Sequence, residues 1–176
     1  MIPPQRSVRH ILWLLAASLA HLPAATACWD QAAQRYQVNA ELLYAIAQTE
    51  SGLNPQAVGR NRNGSRDIGL MQINSAWLPR LQAHGIAERD LYDPCTSIYV
   101  GAWILAGNVQ RLGYTWEAVG AYNATHPAFR QAYATQVYRR LAASAASGND
   151  PTNPPSSPKR APRVAPRSPI LLASTQ

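Results

Sequence analysis

The spacing of apolar residues between Trp29 and Leu141 is the feature that most constrains the fold of this chain. Apolar side chains recur there at intervals of three and four residues, which is the period of a helix buried along one face. Alternation of the strand type is scarce in the same region. The region is long enough for one compact domain and too short for two. The sequence therefore predicts a mainly α fold made of a single helical domain.

Local capping and stop signals divide this region into elements. They predict a first helix over about 29–37, a second that Asn39 caps and Gly52 ends, a longest helix that begins at Asp93 or Thr96 and ends at Gly113, another that Thr115 caps, and a last one over about 128–143. Turn-forming residues between Gly59 and Ile68, among them Asn63-Gly64, predict a small hairpin or an irregular loop.

The start of the chain is typical of a signal peptide. Arg6 and Arg9 precede a short apolar run from Ile11 to Leu22, and Ala25-Thr26-Ala27 has the small-residue pattern of a cleavage site. The apolar run is short for a membrane span, although an uncleaved anchor is the alternative. We therefore expect a signal peptide over residues 1–27 and a domain over 28–146 that is exported to the periplasm.

The end of the chain, residues 147–176, has no apolar periodicity and holds seven of the fourteen prolines, with four basic residues against Asp150. Such a composition has too little apolar surface to offset the entropy of ordering, so the sequence predicts a disordered tail. A basic, Pro-rich tail is suited to contact with anionic envelope polymers or with a partner protein. A plain solvated tail is the alternative.

The chain has two cysteines, Cys28 and Cys95. In an exported protein a single pair indicates a disulfide, which would stabilise the fold by roughly 4 kcal/mol in the chain-entropy model. Two unpaired thiols, or lipidation of Cys28 as the first mature residue, are the alternatives. No residues have the spacing of a metal site, a phosphate-binding loop or a nucleic-acid motif, so we expect no metal, no cofactor and no nucleic-acid partner.

Glu50 is the candidate catalytic residue that stands out from the pattern alone. It continues the apolar stripe of Leu43, Ile46 and Ala47, so the helix turns its carboxyl toward the core. It also lies in the last turn, where the negative end of the helix dipole disfavours a carboxylate. Both effects favour the protonated form, which can give a proton to a leaving oxygen. A solvated or ion-paired glutamate at a helix end is the alternative.

Three short motifs accompany this residue. They are Glu50-Ser51-Gly52, then Gly69-Leu70-Met71-Gln72-Ile73-Asn74, then Ala121-Tyr122-Asn123-Ala124. In this order and spacing they resemble the SLT-type lytic transglycosylases of the lysozyme-like superfamily, over nearly all of the region from Cys28 to Leu141. The resemblance implies a lysozyme-like helical domain with a small β-hairpin. It also implies an enzyme that cuts the MurNAc-GlcNAc bond of peptidoglycan without a metal or cofactor.

The resemblance also implies roles for single residues. Glu50 would protonate the glycosidic oxygen and then take a proton from the 6-hydroxyl of the sugar, which leaves 1,6-anhydro ends. Ser51 would orient the carboxyl, and Tyr122 would hydrogen-bond it from across the cleft. The substrate would be contacted by Met71 on the cleft floor, by Gln72 and Asn123 at its N-acetyl or hydroxyl groups, and by Asn74. A buried turn and a core tyrosine are the structural alternatives for these residues.

Asp67 is a candidate second carboxylate. The stretch from Asn63 to Gly69 also resembles animal-type lysozymes, in which an Asp at this place assists the acid. Retaining glycosidases need two carboxyls about 5 Å apart. The alternatives are a hydrolytic muramidase that uses Glu50 and Asp67, a transglycosylase in which Asp67 steadies the transition state, and an Asp that only caps the hairpin or pairs with Arg66 or Arg62.

Further features resemble one branch of that family. The small size, the cysteine pair and the segments Cys28-Trp29-Asp30 and Leu91-Tyr92-Asp93-Pro94-Cys95 are similar to transglycosylases that accompany type III and type IV secretion, pilus and conjugation machines. This implies a monomer that makes local gaps in peptidoglycan glycan strands, with components of such a machine as partners. Thr125-His126-Pro127 departs from the family pattern, which has Gly after Ala124. A non-catalytic wall-binding assembly factor is the alternative of another class.

Overall fold

The computed structural model describes residues 24–147, and it describes side chains from 28 to 146. The predicted signal peptide up to residue 23 and the predicted tail from residue 148 lie outside the described residues. Within the described residues, no helix is long and apolar enough to cross a membrane.

The described chain forms six α-helices and a small antiparallel sheet. The elements are α1 (Ala24–Tyr36), α2 (Ala40–Glu50), β1 (Val58–Arg60), β2 (Arg66–Ile68), β3 (Ile73–Asn74), α3 (Leu78–Gln82), α4 (Pro94–Leu112), α5 (Trp116–Asn123) and α6 (Pro127–Ser147), with 3₁₀ turns at Ser75–Trp77 and Glu88–Tyr92. The strand order is β1-β2-β3. The predicted mainly α fold with a small hairpin is therefore confirmed.

Side-chain caps begin three of these helices as the sequence predicts. The Leu42 amide donates to Asn39 Oδ1 at 2.6 Å, which caps α2. The Thr96 amide donates to Asp93 Oδ2 at 2.7 Å, so Asp93, and not Thr96, is the N-cap of α4. Thr115 Oγ1 accepts from the amide of Ala118 at 3.2 Å at the start of α5. Each cap satisfies an amide that the first helical turn leaves without a partner.

Helix α1 begins at Ala24, five residues before its predicted start at Trp29. Two further elements differ from the sequence prediction. The longest helix is α6, with 21 residues against the 19 of α4. Its last turns are alanine-rich and exposed, so helix propensity rather than an apolar stripe carries the helix to Ser147. The other of the two is β3, which is two residues long and therefore too short to show a period in the sequence.

The core lies among α1, α2, α4 and α6, and the sheet packs against it at one side. Leu43, Ile46, Val100, Leu105 and Val137 are fully buried between the helices. Ile68 in β2 and Ile73 in β3 complete the core from the side of the sheet.

A disulfide joins Cys28 in α1 to Cys95 in α4, with the two Cα atoms 5.5 Å apart. The predicted pairing is therefore confirmed. Because both sulfur atoms are in the bond, the alternatives of unpaired thiols and of a lipidated Cys28 are excluded in this structure.

Candidate active site

Glu50 is the last residue of α2, and its carboxyl is largely buried on the inner side of the helix. Burial is the main cause that raises the pKa of this carboxyl from 4.5 to about 7, and the negative charge of Asp67 raises it further. Hydrogen bonds from Tyr133 and Asn123 act in the opposite direction and lower the pKa. The sequence prediction of a partly buried carboxyl that holds its proton near neutral pH agrees with these contacts.

Tyr133 is the partner of this carboxyl. Its hydroxyl donates to Glu50 Oε1 at 2.5 Å from the buried face of α6. Burial, with the nearby Glu50 charge, raises the pKa of the phenol above its ordinary value, so it stays a neutral donor. Sequence reasoning missed this residue. The signal was available, because Tyr133, Val137 and Leu141 recur every four residues and therefore share the inner face of α6.

Tyr122 does not make the predicted hydrogen bond to Glu50, so that prediction is wrong. Its hydroxyl donates instead to the backbone carbonyl of Met71 at 3.0 Å. Gly101 in α4 leaves the space for this contact, since a Cβ there would lie 2.9 Å from the hydroxyl oxygen. Tyr122 therefore fixes the backbone of Met71. Burial, with a smaller effect from the charge of Glu50, raises the pKa of the Tyr122 phenol.

Ser51 makes its hydrogen bonds to the backbone. Its hydroxyl donates to the Leu70 carbonyl at 2.7 Å and lies 3.3 Å from the Ala47 carbonyl. These contacts join the end of α2 to the segment Gly69 to Asn74. The prediction that Ser51 orients the Glu50 carboxyl stays a prediction, and it would act through this backbone.

The Met71 side chain is packed beneath the site. It is fully buried, and its methyl group would be 2.6 Å from a Cβ at Gly101. The Met71 backbone amide donates to Ser97 Oγ at 3.1 Å. The predicted contact of this side chain with substrate stays a prediction.

Gln72 occupies a strained turn beside the sheet. Its φ is +48°, a left-handed value that non-glycine residues rarely adopt. The side-chain amide nitrogen donates to the carbonyls of Gly69 at 2.8 Å and Ala57 at 3.2 Å, which stabilises the turn. The predicted substrate contact of the half-buried Gln72 stays a prediction, and it would have to use the Oε1 atom that lies beside Gly59.

Asp67 lies on β2, opposite Asn74 on β3. Its Oδ1 accepts from Asn74 Nδ2 at 2.7 Å and its Oδ2 accepts from Asn61 Nδ2 at 2.9 Å. The alternative of an ion pair with Arg66 is wrong, because Arg66 pairs with Glu88 at 2.7 Å. Two amides thus hold the Asp67 carboxyl in one orientation, where its charge acts on Glu50.

The predicted site residues therefore fall into three groups. Asn123, exposed at the end of α5, and Asp67 act directly on the Glu50 carboxyl. Ser51, Tyr122 and the backbone of Met71 form a support behind it. Asn74 belongs to the sheet side, where it holds Asp67, and its predicted contact with substrate stays a prediction.

Among the residues that the structure describes, no group of three or more His, Cys, Asp or Glu side chains is placed to hold a metal ion. The raised pKa of Glu50 suits this carboxyl to proton transfer.

A family model described as the transglycosylase SLT domain matches residues 27–141. The chain belongs to this family. The match covers the helices that carry Glu50, Tyr122 and Tyr133, and membership makes the protein a peptidoglycan lytic transglycosylase.

This SLT-domain protein has relatives in Salmonella, Shigella and Escherichia coli, one of which is named an invasion protein. It is 47% identical over 144 residues to the invasion protein IagB of Salmonella typhimurium strain LT2, which covers 77% of this chain and 88% of that protein. It is 43% identical over 140 residues to the protein IpgF of Shigella flexneri, over 77% of this chain and 91% of the relative. It is 40% identical over 137 residues to the X polypeptide of Escherichia coli, over 72% and 81%.

A solved structure shares the fold of this SLT domain. It is an inactive mutant of the lytic transglycosylase Slt from Pseudomonas aeruginosa, with a TM-score of 0.57 and 22% sequence identity. The likeness covers 72% of this chain and 24% of the longer protein. The lysozyme-like fold that the motifs imply is therefore confirmed.

Proposed function

We propose that Glu50 is the acid and base of a reaction that cleaves the MurNAc-GlcNAc bond and leaves 1,6-anhydro-MurNAc ends. The observation that carries the proposal is the buried carboxyl, whose pKa of about 7 keeps a substantial protonated fraction near neutral pH. Tyr133 holds Oε1 of this carboxyl in place.

In this reaction Glu50 both gives the proton and takes it back. Glu50 gives its proton to the bridging oxygen, and the bond from that oxygen to C1 of MurNAc breaks. The C6 hydroxyl oxygen of the same sugar then bonds to C1, and its proton returns to the Glu50 carboxylate. No water is consumed, and the enzyme ends in its starting state.

Asp67 supports the second candidate, a hydrolytic muramidase. Its carboxylate is fixed by Asn61 and Asn74, and its charge raises the pKa of Glu50. A fixed negative charge on this side of the cleft would stabilise the oxocarbenium-like transition state in either reaction.

Mass spectrometry of the fragments released from purified peptidoglycan distinguishes the two reactions. The proposal expects anhydro ends, which are one water lighter than the reducing ends that a muramidase produces. Glu50→Gln should reduce fragment release by about 10²-fold or more, because the general acid is lost. The matched control is Glu41→Gln, at the first turn of the same helix. Reducing ends from the wild-type enzyme would overturn the transglycosylase assignment, and undiminished release by Glu50→Gln would overturn the role of Glu50.

We further propose that this monomeric enzyme acts in the periplasm and opens local gaps for a secretion, pilus or conjugation apparatus. The name of the Salmonella relative, an invasion protein, supports this role, as does the small size of the domain. Replacement of the native gene by its Glu50→Gln form should lower the number of assembled envelope-spanning machines while growth and cell shape stay normal. A general defect in cell separation would instead indicate bulk turnover of the wall.

A further inference from the structure

The inner face of α6 leaves the core beside the Glu50 carboxyl. Phe129, Tyr133 and Val137 follow one another every four residues and therefore share this face. Val137 is fully buried and Tyr133 is 7% exposed, whereas Phe129 is 68% exposed. Phe129 lies about 6 Å along the helix axis from Tyr133, which donates to Glu50. An aromatic ring is thus open to solvent one helical turn from the contact with the proposed acid.

A second aromatic ring accompanies Phe129. The ring of His126, in the loop before α6, lies 5.7 Å from the Phe129 ring, with 54° between the two planes. His126 Nδ1 accepts from the Ala128 amide at 3.3 Å, and the His126 carbonyl accepts from the Phe129 amide at 3.1 Å. Both residues are exposed. These bonds fix the histidine ring relative to the first turn of the helix, so the two rings form a preset pair.

Arg130 holds the loop that carries His126. Its Nη2 donates to the Thr125 carbonyl at 2.7 Å, and its Nε donates to the Ala124 carbonyl at 3.1 Å. Its Nη1 forms an ion pair at 3.0 Å with Glu117 in α5. One side chain therefore ties the loop to both helices, and a binding surface that is ordered in advance loses less entropy when a ligand binds.

The surroundings of Phe129 suit a sugar. Asn123, at the end of α5, is exposed and reaches the Glu50 carboxyl, so it supplies an amide near the exposed ring. A pyranose has apolar C–H faces and a rim of hydroxyl and N-acetyl groups, which an aromatic ring and a nearby amide complement. A glycan strand continues on both sides of the bond that is cut. Its sugars must therefore pass over the surface around Glu50.

We propose that Phe129, backed by His126, stacks on a sugar ring of the peptidoglycan strand next to the bond that Glu50 cleaves. This inference rests on the proposed function, because it takes the glycan strand as the occupant of the cleft. Phe129 then contributes affinity and fixes which stretch of the strand lies over the carboxyl, and it takes no part in proton transfer. The segment Thr125-His126-Pro127, which departs from the family pattern, supplies the second ring.

Binding to an enzyme that cannot cut tests the stacking separately from the reaction. The probe is glycan strands from purified peptidoglycan whose stem peptides have been removed, and calorimetric titration of the Glu50→Gln chain gives their Kd. Adding Phe129→Ala should raise this Kd by about tenfold, because an aromatic packing contact is lost. Phe129→Trp keeps a stacking face and should restore the affinity.

The matched control is Tyr138→Ala in the same chain. Tyr138 is 55% exposed and lies nine residues beyond Phe129, on the opposite side of α6. This substitution should leave the Kd for the strands unchanged. His126→Asn keeps an acceptor for the Ala128 amide but removes the ring, so it should weaken binding less than Phe129→Ala does.

Kinetics of the active enzyme distinguish a binding contact from a structural one. Phe129→Ala should raise KM by about the same factor as the Kd, with kcat and the pH profile little changed, since the contact is the same before and during bond cleavage. Its urea midpoint should equal that of the wild type, because the side chain is exposed. An equal loss in kcat together with a lower urea midpoint would assign Phe129 to the fold and overturn the proposal.

The remaining outcomes separate this inference from the proposed function. An unchanged Kd in Phe129→Ala, or an equal loss in Tyr138→Ala, would overturn the stacking contact and leave the reaction at Glu50 untouched. A loss seen only with the isolated stem peptide as ligand would assign the ring to the peptide and also overturn it. Failure of the Glu50→Gln chain to bind the strands at all would count against the glycan cleft itself.

Discussion

The Glu50 carboxyl is controlled by effects of opposite sign from separate parts of the chain. Burial and the Asp67 charge favour the protonated form, while the hydrogen bonds of Tyr133 and Asn123 favour the charged form. The balance leaves a pKa of about 7, so both protonation states are accessible near neutral pH. A group that must give up and regain a proton in one turnover needs this balance.

The alkaline limb of the pH–rate profile should report these opposing contacts. Activity requires the protonated acid, so kcat/KM should fall as pH rises through about 7. Tyr133→Phe removes a contact that lowers the pKa, so the limb should move to higher pH, with a rate loss of about tenfold from poorer orientation. Asp67→Asn removes a charge that raises the pKa, so the limb should move to lower pH. Initial rates of solubilisation of purified sacculi measure both, and shifts of the same sign would contradict this account.

Glu50→Gln should stabilise the fold in a pH-dependent manner. The folded pKa of about 7 exceeds the ordinary value of 4.5, so the folded state holds a proton that the unfolded state has already lost between these values. Wild-type stability therefore falls as pH rises through this window, by up to about 3 kcal/mol. The glutamine carries no such penalty. Urea unfolding should show the variant more stable above pH 7, with the difference vanishing at acid pH, and a constant difference would disagree with burial as the cause.

At this scale the sequence predicted the burial of the Glu50 carboxyl better than its contacts. The stripe from Leu43 to Glu50 fixes which way the carboxyl points, because helix periodicity is local. The contacts of Tyr122 and Tyr133 depend on how α5 and α6 pack, 72 and 83 residues away from Glu50. The family resemblance pointed to Tyr122, which lies within one of the motifs. Tyr133 lies outside the motifs, and it reaches Glu50 only because α6 packs against α2.

The turn from Gly69 to Gln72 connects the sheet to the support of the site. Gly69 has a φ of +75°, and a Cβ there would lie 2.1 Å from the Leu91 carbonyl oxygen. Any side chain would therefore displace the backbone that Ser51 and Tyr122 hold. This close approach explains why glycine stands at the start of the motif.

Gly69→Ala should consequently destabilise the domain by at least about 2 kcal/mol, since the left-handed strain and the clash add. Gly107→Ala is the matched control, because a Cβ at that helical position meets nothing within 4 Å. This change should be neutral or stabilising by up to about 1 kcal/mol. Urea unfolding of both variants gives the comparison, and similar values for the two would show that the turn can relax.

The elements themselves were predictable where their signals are local. Asn39, Asp93 and Thr115 begin helices at the expected places because a cap needs only the next three residues. The pairing of β3 with β2 was not predictable, because its two residues gain their conformation from the neighbouring strand.

On the scale of the whole molecule, the disulfide joins the first and fourth helices across 67 residues of sequence. The loop that it closes contains α2, with Glu50, and the complete sheet, with Asp67. Constraint of the unfolded chain over this length contributes roughly 4 kcal/mol in the entropic description.

The double variant Cys28→Ser/Cys95→Ser should lose about this amount of unfolding free energy, which is a large part of the stability of an ordinary domain. Urea unfolding under oxidising conditions measures the loss. In the presence of a strong reductant the wild type should unfold at nearly the same urea concentration as the variant. A persistent difference there would mean that serine disturbs the packing at the two positions.

The hydrogen-bond partner of the Glu50 carboxyl lies far from it in chain order. Glu50 is in the second helix, and Tyr133 is in the sixth. A chain that is synthesised from its N-terminus therefore contains this carboxyl before α6 can supply the hydrogen bond. Until α6 has packed, the proposed acid lacks the contact that orients it, so we expect full activity only from the complete domain.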